Sequence, residues 1–441
     1  MHSISVKNFG PLVNVQMQSD RFIFLLGEQA SGKSTLAKLF YFFRTLRDEF
    51  ISVVFKTESD DWRGVRNTCL SLLRRKFTGI FGETKLLGNF DLTYSYDDGK
   101  NVSIKPSSIN NYFLEIVLSH DLDKKIESVY QRAQRYLSID KDNAYDIYQN
   151  ILNEGEEKKD IISELRTIFC DNSNVIYIPA GRAFLSNQPL LQLIQGYEMR
   201  SMNPDEPFAQ YDFVDAPTRN YIYEVNRTRQ RYLSPQIHEM FNKQDRSNKN
   251  DCIFELTRNI LKGSYEVDKS GEYIRIKNNK KVKISYASSG QQEVLWLLNL
   301  LCLYSIEKRK CLLIIEEPEA HLHPEAQYML AKSVAAFGNY TNSEVLITTH
   351  SPYILSSFNN LIYAGKCGKF ESLQSKLNQI IQKESWIEPE AFSSYILEQG
   401  KCRDIKDVDL AMIDIAELDA VASAQDTEYE KMLRLYSEAK Q

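Results

Sequence analysis

Short stretches of unbroken apolar residues punctuate the chain: Phe22-Ile-Phe-Leu-Leu26, Val175-Ile-Tyr-Ile178, Cys311-Leu-Leu-Ile-Ile315 and Val345-Leu-Ile347. A run of this kind fits a strand covered on both faces, as in a parallel sheet. Ser3–Phe9 and Leu12–Met17 alternate instead, with Gly10-Pro11 between them. That pattern predicts two antiparallel strands with one wet face. Phe90–Ile104 reads as a hairpin about Asp98-Gly99. Helical patterning runs from Lys33 to about Phe50, through much of 112–169 with a break at Ser138–Asp142, over most of 188–261, and through Val294–Leu303. Residues 202–207 and 242–251 read as exposed loops, and Gly263–Ser285 as short strands around Lys269–Glu272 and Asn278–Lys281. The tail Glu388–Gln441 reads as helical and acidic. Together these elements predict an α/β fold: a mixed central sheet, an N-terminal antiparallel β-subdomain and an inserted helical subdomain.

Composition narrows the function classes. The 441 residues are 43% apolar and 26% charged, with a net charge of −5. There is no global basic field, so contact with nucleic acid would need a local patch. Seven scattered cysteines show no disulfide framework and no Cys-x-x-Cys pair, which predicts a reducing, cytoplasmic setting. No apolar run approaches ~18 residues and Met1-His-Ser-Ile-Ser-Val is no signal peptide, so no membrane association is expected.

The strand at Phe22–Leu26 leads into Gly27-Glu-Gln-Ala-Ser-Gly-Lys-Ser-Thr35, which fits G-x-x-x-x-G-K-[ST]. Gly27 and Gly32 let the backbone curl and aim its N–H groups at phosphate oxygens. Lys33 brings positive charge to the β- and γ-phosphates, Ser34 offers a hydroxyl to Mg²⁺, and Thr35 is a second hydroxyl nearby. The helix that begins at the loop adds its N-terminal dipole.

Two carboxylates, Glu316 and Glu317, close the Cys311–Ile315 strand, and Pro318 stops it. Adjacent carboxylates at the edge of a core repel unless a cation faces them. The Val345–Ile347 strand ends in His350, which on the same sheet edge could contact a γ-phosphate or an attacking water. Ser288-Ser-Gly290 opens an apolar helix and reads either as an anion-binding N-terminus or as an ordinary Ser-capped start. Arg182, after the Val175–Ile178 strand, could reach a phosphate or a neighbouring subunit, or pair with a surface carboxylate. Arg227, Arg229 and Arg231 with Tyr221, Tyr223 and Tyr232 could form a basic aromatic surface for nucleic acid, as could Arg74-Arg75-Lys76; the plainer reading of both is a solvated helix face. His321 and His323 lie beside carboxylates, but with no Cys or third His nearby they make a poor zinc site.

Gly27–Thr35, Ser288–Gln292, Leu312–Glu317 and Thr348–His350 resemble, in content and order, the ABC-type ATPase heads: Walker A, signature, Walker B with its catalytic glutamate, and switch histidine. By this resemblance Ser289 and Gly290 touch the nucleotide held by a partner subunit. Glu316 takes the Mg²⁺-side Walker B position, Glu317 polarises the attacking water, and Ala320–His323 is the loop that crosses the dimer. Two departures stand out. Glu316 replaces the usual Asp, which lengthens the reach to Mg²⁺, and Gln291 replaces the second signature glycine. The wording Glu316-Glu-Pro-Glu-Ala-His-Leu-His-Pro324, with Thr348-Thr-His-Ser-Pro352 downstream, is most similar to the bacterial ATPases of overcoming-lysogenization-defect, PARIS and Septu type, relatives of SMC heads.

That resemblance implies a slow ATPase with Mg²⁺ and ATP, paired as a homodimer or higher homo-oligomer through nucleotide-sandwiched heads. It further implies a sensor or scaffold role in anti-phage defence, with a separate nuclease or toxin as effector. A DNA-repair or recombination ATPase that grips DNA directly is the main rival; a scaffold that uses ATP only as structural glue is the third reading. The expected division is 1–50 for the N-terminal half of the head with the P-loop, 51–170 for a hairpin and helical insertion, and 171–285 for a helical lobe. Residues 286–360 would then form the signature, Walker B and switch-histidine half, and 361–441 a C-terminal helical region, a candidate partner-docking segment.

Overall fold

A computed structural model describes residues 2–56, 61–83, 86–107, 114–137, 158–186, 214–234, 251–268, 270–407, 409–414 and 432. An 11-stranded mixed sheet runs through the molecule. Its strands, in chain order, are β1 (Ser3–Phe9), β2 (Leu12–Gln18), β3 (Phe22–Gly27), β4 (Asp91–Asp97), β5 (Lys100–Pro106), β6 (Leu114–Leu118), β7 (Asn174–Ile178), β11 (Cys311–Glu316), β12 (Glu344–Thr348), β13 (Phe392–Glu398) and β14 (Lys401–Asp404). Between β7 and β11 in the chain, β8 (Ser264–Asp268), β9 (Gly271–Arg275) and β10 (Lys281–Lys283) make a separate antiparallel sheet. The spatial order of the large sheet is β6-β5-β4-β1-β2-β14-β13-β3-β12-β11-β7.

The unbroken apolar runs became β3, β12, β11 and β7, which together with β13 make the parallel half, β13-β3-β12-β11-β7. Their side chains divide between two cores. Ile23, Leu25, Leu312, Ile314, Leu346 and Tyr177 face one side, where α1 (Lys33–Lys56), α2 (Trp62–Phe81) and α3 (His120–Leu137) pack. Phe24, Leu26, Leu313, Ile315, Ile347 and Ile178 face the other. There they meet α4 (Ala216–Tyr232), α5 (Asp251–Leu261), α6 (Ser289–Ile306), α7 (Pro324–Thr341) and α8 (Pro352–Gly368). Burial on both faces is why these strands carry no polar alternation. α6 is apolar nearly all round because it lies inside this second core. The alternating N-terminal strands form the antiparallel half, and β4–β5 is the expected hairpin about Asp98-Gly99.

Helix starts follow local chemistry. His323-Pro324 and Ser351-Pro352 each place a cap and an N1 proline directly after a strand-end loop. Short α9 (Glu371–Ile380) follows α8.

The structure departs from expectation in two places. Within the stretch read as mostly helical, Leu114–Leu118 is a strand, β6, paired with β5. The C-terminal region is not purely helical either. β13 lies inside the sheet against β3, and β14 turns back from it through Gln399 and Gly400, both with positive φ. The break at Ser138–Asp142, the 202–207 loop and nearly all of the 242–251 loop and of the tail beyond Asp414 fall outside the described residues.

Candidate functional site

Register brings the carboxyl ends of five parallel strands level. Leu397 pairs with Gly27, Thr348 with Leu25, Glu316 with Thr348, and Ile178 with Ile315. In an open α/β sheet this edge is where ligands bind.

The Gly27–Thr35 loop stands at that edge between β3 and α1. Gly27 has φ +140° and Gly32 φ +103°. A Cβ on Gly27 would lie 2.5 Å from the Leu397 carbonyl oxygen, and one on Gly32 2.5 Å from Leu12 Cδ2. Glycine is therefore required twice over, by backbone conformation and by space. Lys33 Nζ donates to the carbonyls of Gly27 and Glu28, each at 2.7 Å. Burial pushes the Lys33 ammonium toward neutrality, and the charges of Glu317, Glu319 and Glu316 oppose that shift. Three carboxylates thus face one lysine. Ser34 is exposed and Thr35 half-buried.

Glu316, the last residue of β11, is buried. Its Oε2 accepts from the Ala180 N–H at 3.3 Å, while its Oε1 is buried without a hydrogen bond. Glu317 takes a left-handed conformation, φ +41°, and donates its N–H to the Thr348 carbonyl at 2.9 Å. That twist turns its carboxylate out of the sheet, where it is 38% exposed. Glu319 was not singled out in the sequence. It is buried, and its Oε1 accepts from Thr349 Oγ1 at 2.6 Å and the His350 N–H at 3.1 Å. Imidazole Nδ1 of His350 lies 3.7 Å from Glu317 and 3.8 Å from Glu319. Nothing in local patterning distinguishes Glu319 from a surface glutamate; only the pairing of β11 with β12 brings it beneath His350.

Ser289 and Gly290 sit elsewhere, at the start of α6. Ser288 caps that helix, and Gln291 closes a capping box with it. This gives the departure at Gln291 a local reason, since its side chain also donates to the Leu261 carbonyl at 2.7 Å. Ser288 and Ser289 are exposed. A Cβ on Gly290 would lie 2.6 Å from the His321 carbonyl oxygen, so the helix start rests on the loop after β11. The structure gathers Lys33, Glu316, Glu317 and His350, adds Glu319, and sets Gly290 against His321 and Leu322, with Ser289 exposed beside it.

Two other readings are corrected. Arg182 is fully buried; its partners are backbone carbonyls and buried Glu293, so it neither meets a surface carboxylate nor projects from the strand end. Tyr221 and Tyr232 are core residues. Arg227 pairs with Glu224 and Glu307, Arg229 with Glu272, and Arg231 with Glu307, so these arginines do not form an open basic aromatic surface. His323 serves as the cap of α7, accepting from the Glu325 N–H.

The donor set at the sheet edge suits a phosphate chain accompanied by a hard cation. Glu316 carries a buried carboxylate oxygen with no hydrogen-bond partner among the described residues, Ser34 presents an exposed hydroxyl, and Lys33 supplies positive charge. This defines the class: an α/β protein with a glycine-rich loop of phosphate-binding pattern between its central strand and first helix, faced by a carboxylate-bearing neighbouring strand. The chain belongs to the AAA ATPase domain family, which it matches over residues 1–355. Among solved structures it is similar to an Smc head bound to the C-winged helix domain of ScpA, at 11% identity and a TM-score of 0.38, covering 91% of this chain and 96% of that one. It is also similar to an Smc head domain with an extended coiled coil bound to the C-terminal domain of ScpA, derived from Pyrococcus furiosus (12%, TM-score 0.33, 92% and 96%). A third likeness is to the SMC head domain from Thermotoga maritima (11%, TM-score 0.34, 91% and 97%). No curated protein matches the chain. Among the described residues, no helix is long and apolar enough to cross a membrane.

Proposed function

We propose that the chain is a slow, ABC-type ATPase whose heads pair around ATP, and that it serves as the sensor or scaffold subunit of an anti-phage defence complex controlling a separate nuclease or toxin. The observation that carries the ATPase reading is the convergence of Lys33, Glu316, Glu317 and His350 on one sheet edge. Support for the defence role comes from the wording of Glu316–Pro324 and Thr348–Pro352. Pairing of Arg227, Arg229 and Arg231 with carboxylates weakens one of the two basic stretches on which direct DNA contact could have rested.

The chain's own groups divide the labour. Backbone N–H groups of Gly27–Lys33 and the Lys33 ammonium bind the phosphates. Ser34 and Glu316 would hold Mg²⁺, which supplies charge neutralisation on the phosphate oxygens when bound. Glu317, turned outward by its left-handed backbone, accepts a proton from the attacking water. His350, held over Glu319, fixes the far side of that water. Ser289 faces solvent and, with Gly290, engages the nucleotide of a second copy. Being exposed in one chain, Ser289 needs that second copy to become useful.

The test uses the purified chain with ATP and two variants. Lys33→Ala should lose ATP binding by about a hundredfold or more. Glu317→Gln should bind ATP within about threefold of the parent, lose turnover by about 10²–10⁴-fold, and accumulate as an ATP-bound pair. If Glu317→Gln turns over like the parent, the role given to that residue is wrong. Co-purification with the neighbouring gene products tests the defence role: a nuclease or toxin in the complex supports it, and a lone ATP-dependent dimer carrying DNA overturns it.

A further inference from the structure

The structure assigns Arg182 and Glu293 as a positioning pair that ties the start of α6 to the backbone of Glu317, so that each head's hydrolysis depends on its own Ser289-Gly290 being engaged by a second copy; this rests on the paired-head reading above. The contacts form one continuous chain. Glu293 lies four residues after Ser289, on the first turns of α6, and is 1% exposed. Its two carboxylate oxygens accept from the N–H groups of Arg182 and Ala183 at 2.9 and 2.8 Å, fixing the loop after β7. The Arg182 guanidinium, 0% exposed, returns to the helix by donating Nε to the Glu293 carbonyl at 3.0 Å. Its remaining donors leave the helix. Nη1 binds the carbonyls of Pro179 at 3.0 Å and Glu316 at 2.8 Å, and Nη2 binds that of Glu317 at 3.3 Å.

Glu317 is the residue most in need of such a hold. Its φ of +41° is costly for a side-chain-bearing residue and persists only when its surroundings enforce it. One side of the residue is tied to Thr348 through its N–H, and the other to Arg182 through its carbonyl. A planar, five-donor guanidinium is the only side chain that reaches all these acceptors at once. A bare structural ion pair would not spend its donors on the two peptides that carry the catalytic carboxylates. A shift of α6 on engagement of Ser289 passes through Glu293 to Arg182 and reaches the Glu317 peptide. Misplacing a catalytic group by about 1 Å costs about a hundredfold in rate.

The test compares the parent with Arg182→Lys and the near-isosteric Glu293→Gln. Turnover is measured against ATP concentration, ATP affinity with a fluorescent analogue, and assembly by light scattering. The parent should turn over with a Hill coefficient of about 1.5 or more, because both sites of a pair report to each other. Each variant should lose about tenfold to a hundredfold in kcat, keep ATP affinity within about threefold, still pair with ATP, and show a Hill coefficient near 1. Should Arg182→Lys fail to fold, Glu293→Gln carries the test. A kcat within twofold of the parent, an unchanged Hill coefficient, or joint loss of ATP affinity and pairing overturns the relay while leaving the ATPase reading in place. A parent that neither pairs nor turns over with ATP overturns both.

Discussion

Behind the site, at the opposite edge of the sheet, a buried cluster of charges makes a prediction that can be worked through. Asp171, just before β7, accepts from Arg44 Nε at 2.6 Å and lies 2.8 Å from Arg47 Nη1; all three side chains are 1% exposed. Arg44 also forks onto both carboxylate oxygens of Glu344 at 2.8 Å, at the start of β12. Arg47 donates to the carbonyls of Asp171 and Ser173. Burial alone would raise the Asp171 carboxyl, but the Arg44 charge and hydrogen bond, with help from Arg47, hold it down at about 2 against 3.8 when free. A gap of nearly two pH units corresponds to about 2 kcal/mol of stability. Because the folded carboxyl is the more acidic, that contribution is complete above pH 3.8 and is lost as pH falls from there toward 2. Asp171→Asn leaves two buried guanidinium groups short of a counter-charge, at a cost of about 3–5 kcal/mol at pH 7. Urea denaturation of parent and variant at pH 7 and pH 3 measures both quantities. The gap should be about 3–5 kcal/mol at pH 7 and narrower by about 1 kcal/mol at pH 3. ATP affinity should change less than about threefold, since the cluster lies at the amino ends of β7 and β12. A gap under about 1 kcal/mol at neutral pH, or one that widens in acid, refutes the account.

Other outcomes follow from the same geometry. Gly27→Ala should destabilise more than Gly82→Ala, because both replace a glycine of positive φ but only Gly27 has a carbonyl oxygen 2.5 Å from the new Cβ; the Gly82 change should cost about 1 kcal/mol by thermal or urea melts, and only the Gly27 change should weaken ATP binding. Ser289→Arg should leave ATP affinity of the single chain within about threefold while abolishing ATP-dependent pairing by light scattering, because Ser289 is exposed. Gly365→Ala should lower the melting temperature without touching nucleotide affinity, since its Cβ would collide with the Ile387 carbonyl oxygen on the far side of α8.

The strands that carry chemistry were readable because each is buried on both faces and ends in residues that seldom close a strand: Gly27, Glu316-Glu317 and His350. β13 was not. Ser393 and Ser394 are buried within it, so it lacks an unbroken apolar run, and the acidic residues downstream coloured the whole tail. The Gln399-Gly400 pair, flanked by Tyr395-Ile-Leu397, was the available hairpin signal. β6 was lost in the same way, as five residues ahead of a long helix. Arg182 and Glu319 show a different limit. Their partners are backbone groups and residues far along the chain, and such contacts leave no periodicity. Charged residue types suggested surface, whereas hydrogen bonding allowed burial.

β13 has a consequence for the order in which the molecule is made. β3, which ends at Gly27, leaves the ribosome well before its two neighbours in the sheet, which come from Glu344–Thr348 and Phe392–Glu398. Until translation has passed Glu398, one edge of the strand that bears the nucleotide loop lacks its partner, and Gly27 lacks the Leu397 carbonyl that flanks it. The matched segment 1–355 stops before this strand, so a nascent chain ending there holds every residue of the candidate site without the wall behind it. Completion of the walls around the Gly27–Thr35 loop is thereby timed by the far end of the sheet rather than by the loop's own emergence.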